Sequence, residues 1–171
     1  LSAAPALKRQ PGAADRIRVV EPTVAHVYQL AAKLRRQEIA AAARIGRDPK
    51  RALRLSYKCS SLYRRAAVLA GDAGDEVLAM WGLGGDALSD IGFPWLITST
   101  SAAAHRLALL KIGRRELAAM LAAKRLLIDY VAPDEMAAAR FVRFFGFAQV
   151  GHGPALAGHG PWARYELRRS G

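Results

Sequence analysis

The stretch Leu126–Phe147, LLIDYVAPDEMAAARFVRFFGF, decides the fold. Leu126, Leu127, Ile128, Tyr130 and Val131 form a short apolar run suited to an inner strand, and Pro133-Asp134 breaks it and starts a helix. Ala138, Phe141 and Phe145 then recur at helical spacing. Gly146 can end that helix in a left-handed conformation, with Phe147 folding back on the last turn as the next strand begins.

Downstream, residues 147–169 read as two strands around a loop that carries GHGP twice, at Gly151 to Pro154 and Gly158 to Pro161. Upstream, Ser99, Thr100 and Ser101 precede a long helix to about Ala123, with Leu107, Leu110, Leu117 and Leu121 on one stripe. Before it, IGFPWLITST is a strand whose Pro94 removes a ladder donor and so implies an edge, a bulge or a splayed pairing. Ala66 to Ala70 and Glu76 to Leu83 flank Gly71-Asp72-Ala73-Gly74-Asp75 as a hairpin, which Gly82, Gly84 and Gly85 bring to an end. The first 65 residues supply a strand at Arg16 to Glu21, a helix from about Val24 to Ala43 and a second from about Lys50 to Leu62. Leu30, Leu34, Ile45, Leu53, Leu55 and Leu62 are the positions by which these helices would pack on the sheet. The order β, α, α, β, β, β, α, β, α, β, β predicts an α/β (α+β) domain, a mixed sheet with helices on both faces.

With 171 residues, 52% of them hydrophobic and 23% charged, the chain has material for one globular domain with a real core. Residues 1–15, LSAAPALKRQPGAAD, offer little to bury and read as a flexible N-terminal arm before a single domain over 16–171. The opening Leu1 is expected to mark a start inside the gene product or after a processing point. No apolar run resembles a secretion signal or a membrane span. Cys59, the sole cysteine, excludes an intramolecular disulfide and reads as a small, semi-buried helix residue rather than a catalytic thiol.

Charge is the strongest compositional clue. Lys and Arg number 26 against 14 Asp and Glu, a net +12 with pI near 10.7. Between Leu30 and Arg65 stand eleven basic residues and only Glu38 and Asp48 as acids, a local +9. Arg44, Arg47, Arg51, Arg54 and Lys58 recur every three or four positions and form a basic ridge, for which the plainer alternative is a solvated helix face. Tyr57 and Tyr63 are its only aromatics, too few for base stacking. His152 and His159, even with His26 or His105, lack metal-site spacing, so no metal is expected and the GHGP repeat reads as a flexible hairpin loop.

The element order and the strand-helix-Gly-Phe stretch resemble the GNAT superfamily of acyl-CoA-dependent N-acetyltransferases. More narrowly, Gly82-Leu83-Gly84-Gly85 leading to Trp95-Leu96-Ile97-Thr98-Ser99, with A-x-R-F-x-x-x-x-G-F over Ala138 to Phe147, is similar to acetyltransferase-like internal virion proteins of short-tailed phages. The superfamily resemblance implies a mostly antiparallel sheet of about six to seven strands. It also implies that Leu96, Ile97, Thr98, Ser99, Thr100 and Ser101 are the acyl-CoA-binding positions. The glycines by which the family cradles a pyrophosphate are missing from Ser99 to His105, so N-capping is the plainer role of the hydroxyls there. Glu135 and Val142 occupy the positions where the family commonly has Asn and a proton-donating Tyr. The strand Gly92 to Thr98 has no carboxylate, and Asp90, Tyr130, Tyr165 and Glu166 read as structural, leaving no catalytic residue to name.

The combined expectation is a catalytically degenerate GNAT-fold protein of a phage virion, made in the bacterial host cytoplasm. It would act in several copies as a basic interaction module in the head-tail or internal region. Lys33, Arg35, Arg36, Arg44, Arg47, Arg51, Arg54 and Lys58 would face acidic virion proteins or packaged nucleic acid, with no membrane and no cofactor. The alternative is an N-acetyltransferase using acetyl-CoA, and a third reading is non-specific nucleic-acid binding.

Overall fold

A computed structural model describes residues 16–72, 74–155 and 161–169; the arm assigned to residues 1–15 and His159 of the second GHGP lie outside them. The chain runs β1 (Ile17–Val20), α1 (Val24–Ala32), α2 (Arg36–Arg44), α3 (Pro49–Cys59), β2 (Tyr63–Leu69), β3 (Glu76–Gly84) and β4 (Ile91–Thr98). A 3-10 turn (Thr100–His105) leads into α4 (Arg106–Ala123), followed by β5 (Leu126–Val131), α5 (Met136–Phe144), β6 (Ala148–Ala155) and β7 (Pro161–Arg168). The seven strands form one sheet in the order β1-β2-β3-β4-β5-β7-β6, antiparallel except for β4 with β5. α1 and α3 pack on one face through Val27, Leu30 and Leu53, against Met80 of β3. α4 and α5 cover the other through Met120, Ala139 and Val142, with Phe147 just after α5, against Trp81, Leu127 and Tyr165.

The decisive stretch folds as the expected strand, helix and Gly-Phe end, but Phe141 is exposed and the buried positions of α5 are Ala139 and Val142, with Ala138 and Phe145 partly buried beside them. Gly146 takes φ 91°, and the N–H groups of Gly146 and Phe147 donate back to Arg143 O (2.9 Å) and Val142 O (3.2 Å). Pro94 sits inside β4 opposite Leu83, yet no ladder bond to β3 is lost. Backbone polar groups alternate sides along a strand, and those of Asp90 and Thr98 point away from β3, so the absent N–H of Pro94 also faces away from β3.

The N-terminal helix does not run unbroken from Val24 to Ala43. It stops at Ala32, because Lys33 to Arg35 are drawn out to pair with the end of β4: Thr100 N–H donates to Lys33 O (2.9 Å), and Arg35 N–H to Thr98 O (3.4 Å). A capping box starts α1, with Thr23 Oγ1 accepting from His26 N and His26 Nδ1 from Thr23 N. α3 begins at Pro49 with Asp48 capping Arg51 N (2.7 Å) and ends at Cys59, short of Leu62. Leu55, Leu62 and Leu107, assigned to the core on spacing, are exposed, and so is Cys59. The hydroxyls before α4 do not cap it: Ser99 makes no capping bond, and Ser101 Oγ turns to Glu76 Oε1 (2.8 Å).

Two residue pairs join the halves of the sheet, Ile91 with Leu126 and Gly92 with Leu127. A Cβ on Gly92 would lie 2.6 Å from Leu83 Cδ1 and 3.0 Å from Lys124 Cγ. Lys124 is only 4% exposed, and its Nζ donates to the carbonyls of Asp86 (2.7 Å), Ala87 (3.2 Å) and Ser89, pinning the β3–β4 turn beside the junction. Lys124→Met keeps the apolar stem but leaves three carbonyls without their donor. It is expected to cost about 2–4 kcal/mol in urea unfolding, since bonds to a charged group contribute roughly 1.5–3 kcal/mol each and some of the carbonyls recover water. Unchanged stability would show that the turn holds without the lysine.

Candidate active site between strands β4 and β5

Beyond Gly92 and Leu127 the strands β4 and β5 part. The β5 side of β4 is the side to which Asp90 and Thr98 direct their backbone groups, so by alternation Leu96 directs its N–H and C=O into this opening. Leu96 is also 41% exposed, unusual for a central strand. Trp95 does not fill the gap. Its ring lies over Gly82 on the α1–α3 face, where Nε1 donates to Ser60 Oγ (2.6 Å), and Ile97 packs on the same side.

At the far end of β4, α2 closes over the strand. Glu38 Oε1 accepts from both Thr98 N–H (3.2 Å) and Thr98 Oγ1 (2.7 Å), while the Arg35 guanidinium donates to that hydroxyl (3.3 Å). Burial raises the pKa of Glu38 above its ordinary value, although the bonds from Thr98 and the charge of Arg35 oppose the shift. At its other end α2 is tied by Arg44 to Asp134 and Glu135, at the corner between β5 and α5. This helix therefore straps the opening from the tip of β4 to the end of β5.

On β5, Leu126 N–H donates to Asp90 O (3.1 Å), so the backbone groups of Leu126, Ile128 and Tyr130 face the β4 side. The N–H of Tyr130 is taken by the carboxylate of its neighbour, Asp129 Oδ1, at 2.8 Å. That bond places the Asp129 carboxylate at the rim of the opening, on the sheet face shared with Leu127, Val131 and, from α5, Val142. Burial pushes the Asp129 carboxyl up to about 6, with the single backbone bond from Tyr130 pulling weakly the other way. The sequence reading passed over this residue, which is embedded in an apolar run. An ionisable side chain at an inward-facing strand position was the available clue.

The other carboxylates and phenols considered have structural partners. Asp90 is exposed, 3.8 Å from Arg125; Glu166 is buried between Arg164 (2.5 Å) and Arg168 (2.6 Å). Tyr165 donates to Gln149 (3.2 Å). Tyr130 lies against Gly153, where a Cβ would stand 2.3 Å from its ring, so this GHGP glycine serves close packing. Among the described residues no three His, Cys, Asp or Glu side chains gather to hold a metal. In the segment implied to meet the acyl-CoA phosphates, Thr100 N–H is committed to Lys33 O and Ala102 N–H to Ser99 O (3.2 Å). Ser99 is fully buried, and Glu76 stands beside Ser101 with its pKa lowered by bonds from Lys33 and Ser101. An anion there meets fewer N–H donors and a nearby carboxylate.

The mostly antiparallel seven-stranded sheet with helices on both faces is shared with solved acetyltransferases. An N-acetyltransferase from Staphylococcus aureus superposes with TM-score 0.57 at 13% identity, over 89% of this chain and 98% of that one. A GNAT-family acetyltransferase from Bacillus anthracis gives 0.53 at 12%, over 88% and 92%. The spermidine/spermine N-acetyltransferase from Vibrio cholerae gives 0.58 at 11%, over 92% and 95%. The fold is that of the GNAT acetyltransferases. No protein-family model and no curated protein matches the chain.

Within the GNAT fold, Asp129 carries a measurable cost. Its folded-state pKa lies above the ordinary 3.8, so the folded protein holds the proton more tightly than the unfolded chain. The contribution of Asp129 to stability is fullest below about pH 4, falls as pH rises toward about 6, and stays at the lower level above that. Asp129→Asn is expected to raise unfolding free energy by about 2–3 kcal/mol at pH 7.5, with the gain vanishing near pH 4. Denaturant melts across pH 4–8 check this; a gain independent of pH would place the carboxylate in water.

Proposed function

We propose that the protein is an acyl-CoA-dependent N-acyltransferase, with the thioester lying in the opening between β4 and β5. The observation that carries this reading is the pairing of an open β4 edge at Leu96 with the Asp129 carboxylate across the gap. Leu96 N–H and C=O are suited to pair with the amide-bearing arm of the acyl donor. Asp129, as the carboxylate, takes a proton from the amine nitrogen as it bonds to the thioester carbonyl. When the C–S bond breaks, the same proton passes to the leaving thiolate, so amine and thioester become amide and thiol. A carboxyl near 6 suits both halves better than one at 3.8, because each transfer is closer to balanced at neutral pH. Positioning supplies much of the remaining rate, since aminolysis needs little beyond attack geometry.

A second reading is favoured by a different observation. Val142 stands where the resemblance implies a proton donor, and the N–H groups of Thr98 and Thr100 are held by α2 and by the connector before it. In that reading the fold is retained without its chemistry and serves as an interaction module, as in the phage-particle role suggested by the narrower resemblance. The three neighbours described are all acetyltransferases, and the enzyme reading stands ahead of it.

Calorimetry with acetyl-CoA, followed by thiol release with spermidine and with peptide amines, separates the two. The enzyme reading expects binding below millimolar and a kcat/KM that rises as pH passes about 6. Asp129→Asn should lose about 10²–10³-fold of kcat/KM and flatten that limb, the usual size of a general-base contribution. An absence of binding at millimolar acetyl-CoA would leave the module reading.

A further inference from the structure

The structure divides the basic segment into two sets with different roles. Five cations turn inward or bind neighbours: Lys33 to Glu76, Arg35 to Thr98 and Gln37, Arg44 to Asp134 and Glu135, Arg64 over Tyr57 and beside Glu21, and Arg65 over Tyr63. The two acids of the segment are also committed, Glu38 to Thr98 and Asp48 to the first turn of α3. Arg36, Arg47, Lys50, Arg51, Arg54 and Lys58 remain exposed, with no side-chain partner among the described residues. Four of these lie on α3, and Arg47 stands just before it.

At 100° per residue, Lys50, Arg51, Arg54 and Lys58 fall within an arc of about 100°, and the span from Lys50 to Lys58 is about 12 Å. Leu53 lies outside that arc and is fully buried against α1 and the sheet. We propose that this outer face of α3 binds the phosphate backbone of double-helical nucleic acid without reading its sequence. Duplex DNA presents one negative charge per about 1.7 Å of axis, so a ridge of this length meets several phosphates at once. Base readout is not available to it. Tyr57 donates to Pro22 O (3.3 Å) beneath Arg64, and Tyr63 is tied to Glu116 (2.7 Å), so neither aromatic is presented for stacking. An acidic protein partner fits less well, because the ridge lacks a central aromatic anchor and only Leu55 is apolar and exposed along it. Arg44, placed on the same ridge by its spacing alone, belongs instead to the strap over β5.

Fluorescence anisotropy with labelled 20-base-pair DNA and RNA duplexes of unrelated sequence, from 25 to 200 mM NaCl, tests the proposal. The expected result is similar affinity for each sequence and a log–log salt slope of about −3 to −4, corresponding to three or four phosphates neutralised. Lys50→Gln/Arg51→Gln/Arg54→Gln/Lys58→Gln should weaken binding at least tenfold at 100 mM NaCl and flatten the slope. Arg106→Gln/Lys111→Gln, on exposed positions of α4, should change affinity less than threefold, and circular dichroism confirms that both variants are folded. Equal losses in the two variants would mean that net charge, not this face, does the binding. Salt-insensitive binding, preference for one sequence, or displacement by polyglutamate as effective as by unlabelled duplex would each overturn the proposal.

Discussion

The structure depends on the brief contact of Ile91 and Gly92 with Leu126 and Leu127. Strands β1 to β4 and strands β5 to β7 are each well paired within themselves, and this contact makes them one sheet. Because strands twist against each other, two parallel strands that stop pairing after two residues diverge, and an opening follows without any special device to hold it. The junction is kept short and close by chemistry on both sides. Gly92 leaves room for Leu83 and the Lys124 stem, and the Lys124 ammonium ties down the turn that delivers β4 to the contact. A buried lysine is ordinarily costly, but here three carbonyls replace its water.

An opening in the middle of a sheet leaves backbone polar groups to satisfy, and the chain deals with its two ends differently. At the tip of β4 it supplies protein partners: the segment after α1 pairs with Thr98 and Thr100, and Glu38 closes on Thr98. Deeper in, Leu96 is left facing the gap, and on β5 the exposed N–H of Tyr130 is covered by the carboxylate beside it. Asp129 thereby satisfies a donor but is itself held where its charge is disfavoured. An asparagine would satisfy the same N–H through its carbonyl without that cost. The choice of a titratable group at this position is the strongest single argument for chemistry in the opening.

Elements whose ends are written in local chemistry were readable from the sequence. The β5–α5 unit is bounded by Pro133 and Gly146, the β2–β3 hairpin by its glycines and aspartates, and α3 by Asp48 and Pro49. The break between α1 and α2 was not readable, because Lys33, Leu34 and Arg35 contain no helix breaker and are pulled straight by pairing with Ser99 and Thr100 some 65 residues away. Tertiary pairing here overrides propensity. Asp129 was hidden for a related reason: its neighbours announce a buried strand, while its position at the rim depends on where β4 and β5 separate. The basic ridge was half legible. Periodicity found Arg47, Arg51, Arg54 and Lys58, but which arginines are spoken for by acids elsewhere, as Arg44 is by Asp134 and Glu135, is a property of the folded chain.

The strap formed by α2 bears on both readings of the opening. An extended acyl-donor arm lying along β4 would gain pairing at Leu96 at once, but to reach Thr98 it would have to replace the Arg35 and Glu38 bonds made there. Those bonds are not equal in worth. The Glu38 carboxylate is kept in place against its burial, so its release to water recovers part of the cost of breaking the Thr98 contact. The Arg44 ties at the other end are to Asp134 and Glu135, of which Asp134 is largely exposed, and exposed pairs contribute little. The strap is therefore firm enough to order the end of β4 and weak enough to yield to a ligand that brings its own backbone-like donors and acceptors. A domain that had given up its opening altogether would more simply have filled it with apolar side chains, as the Trp95 ring fills the space over Gly82 on the other face of the sheet.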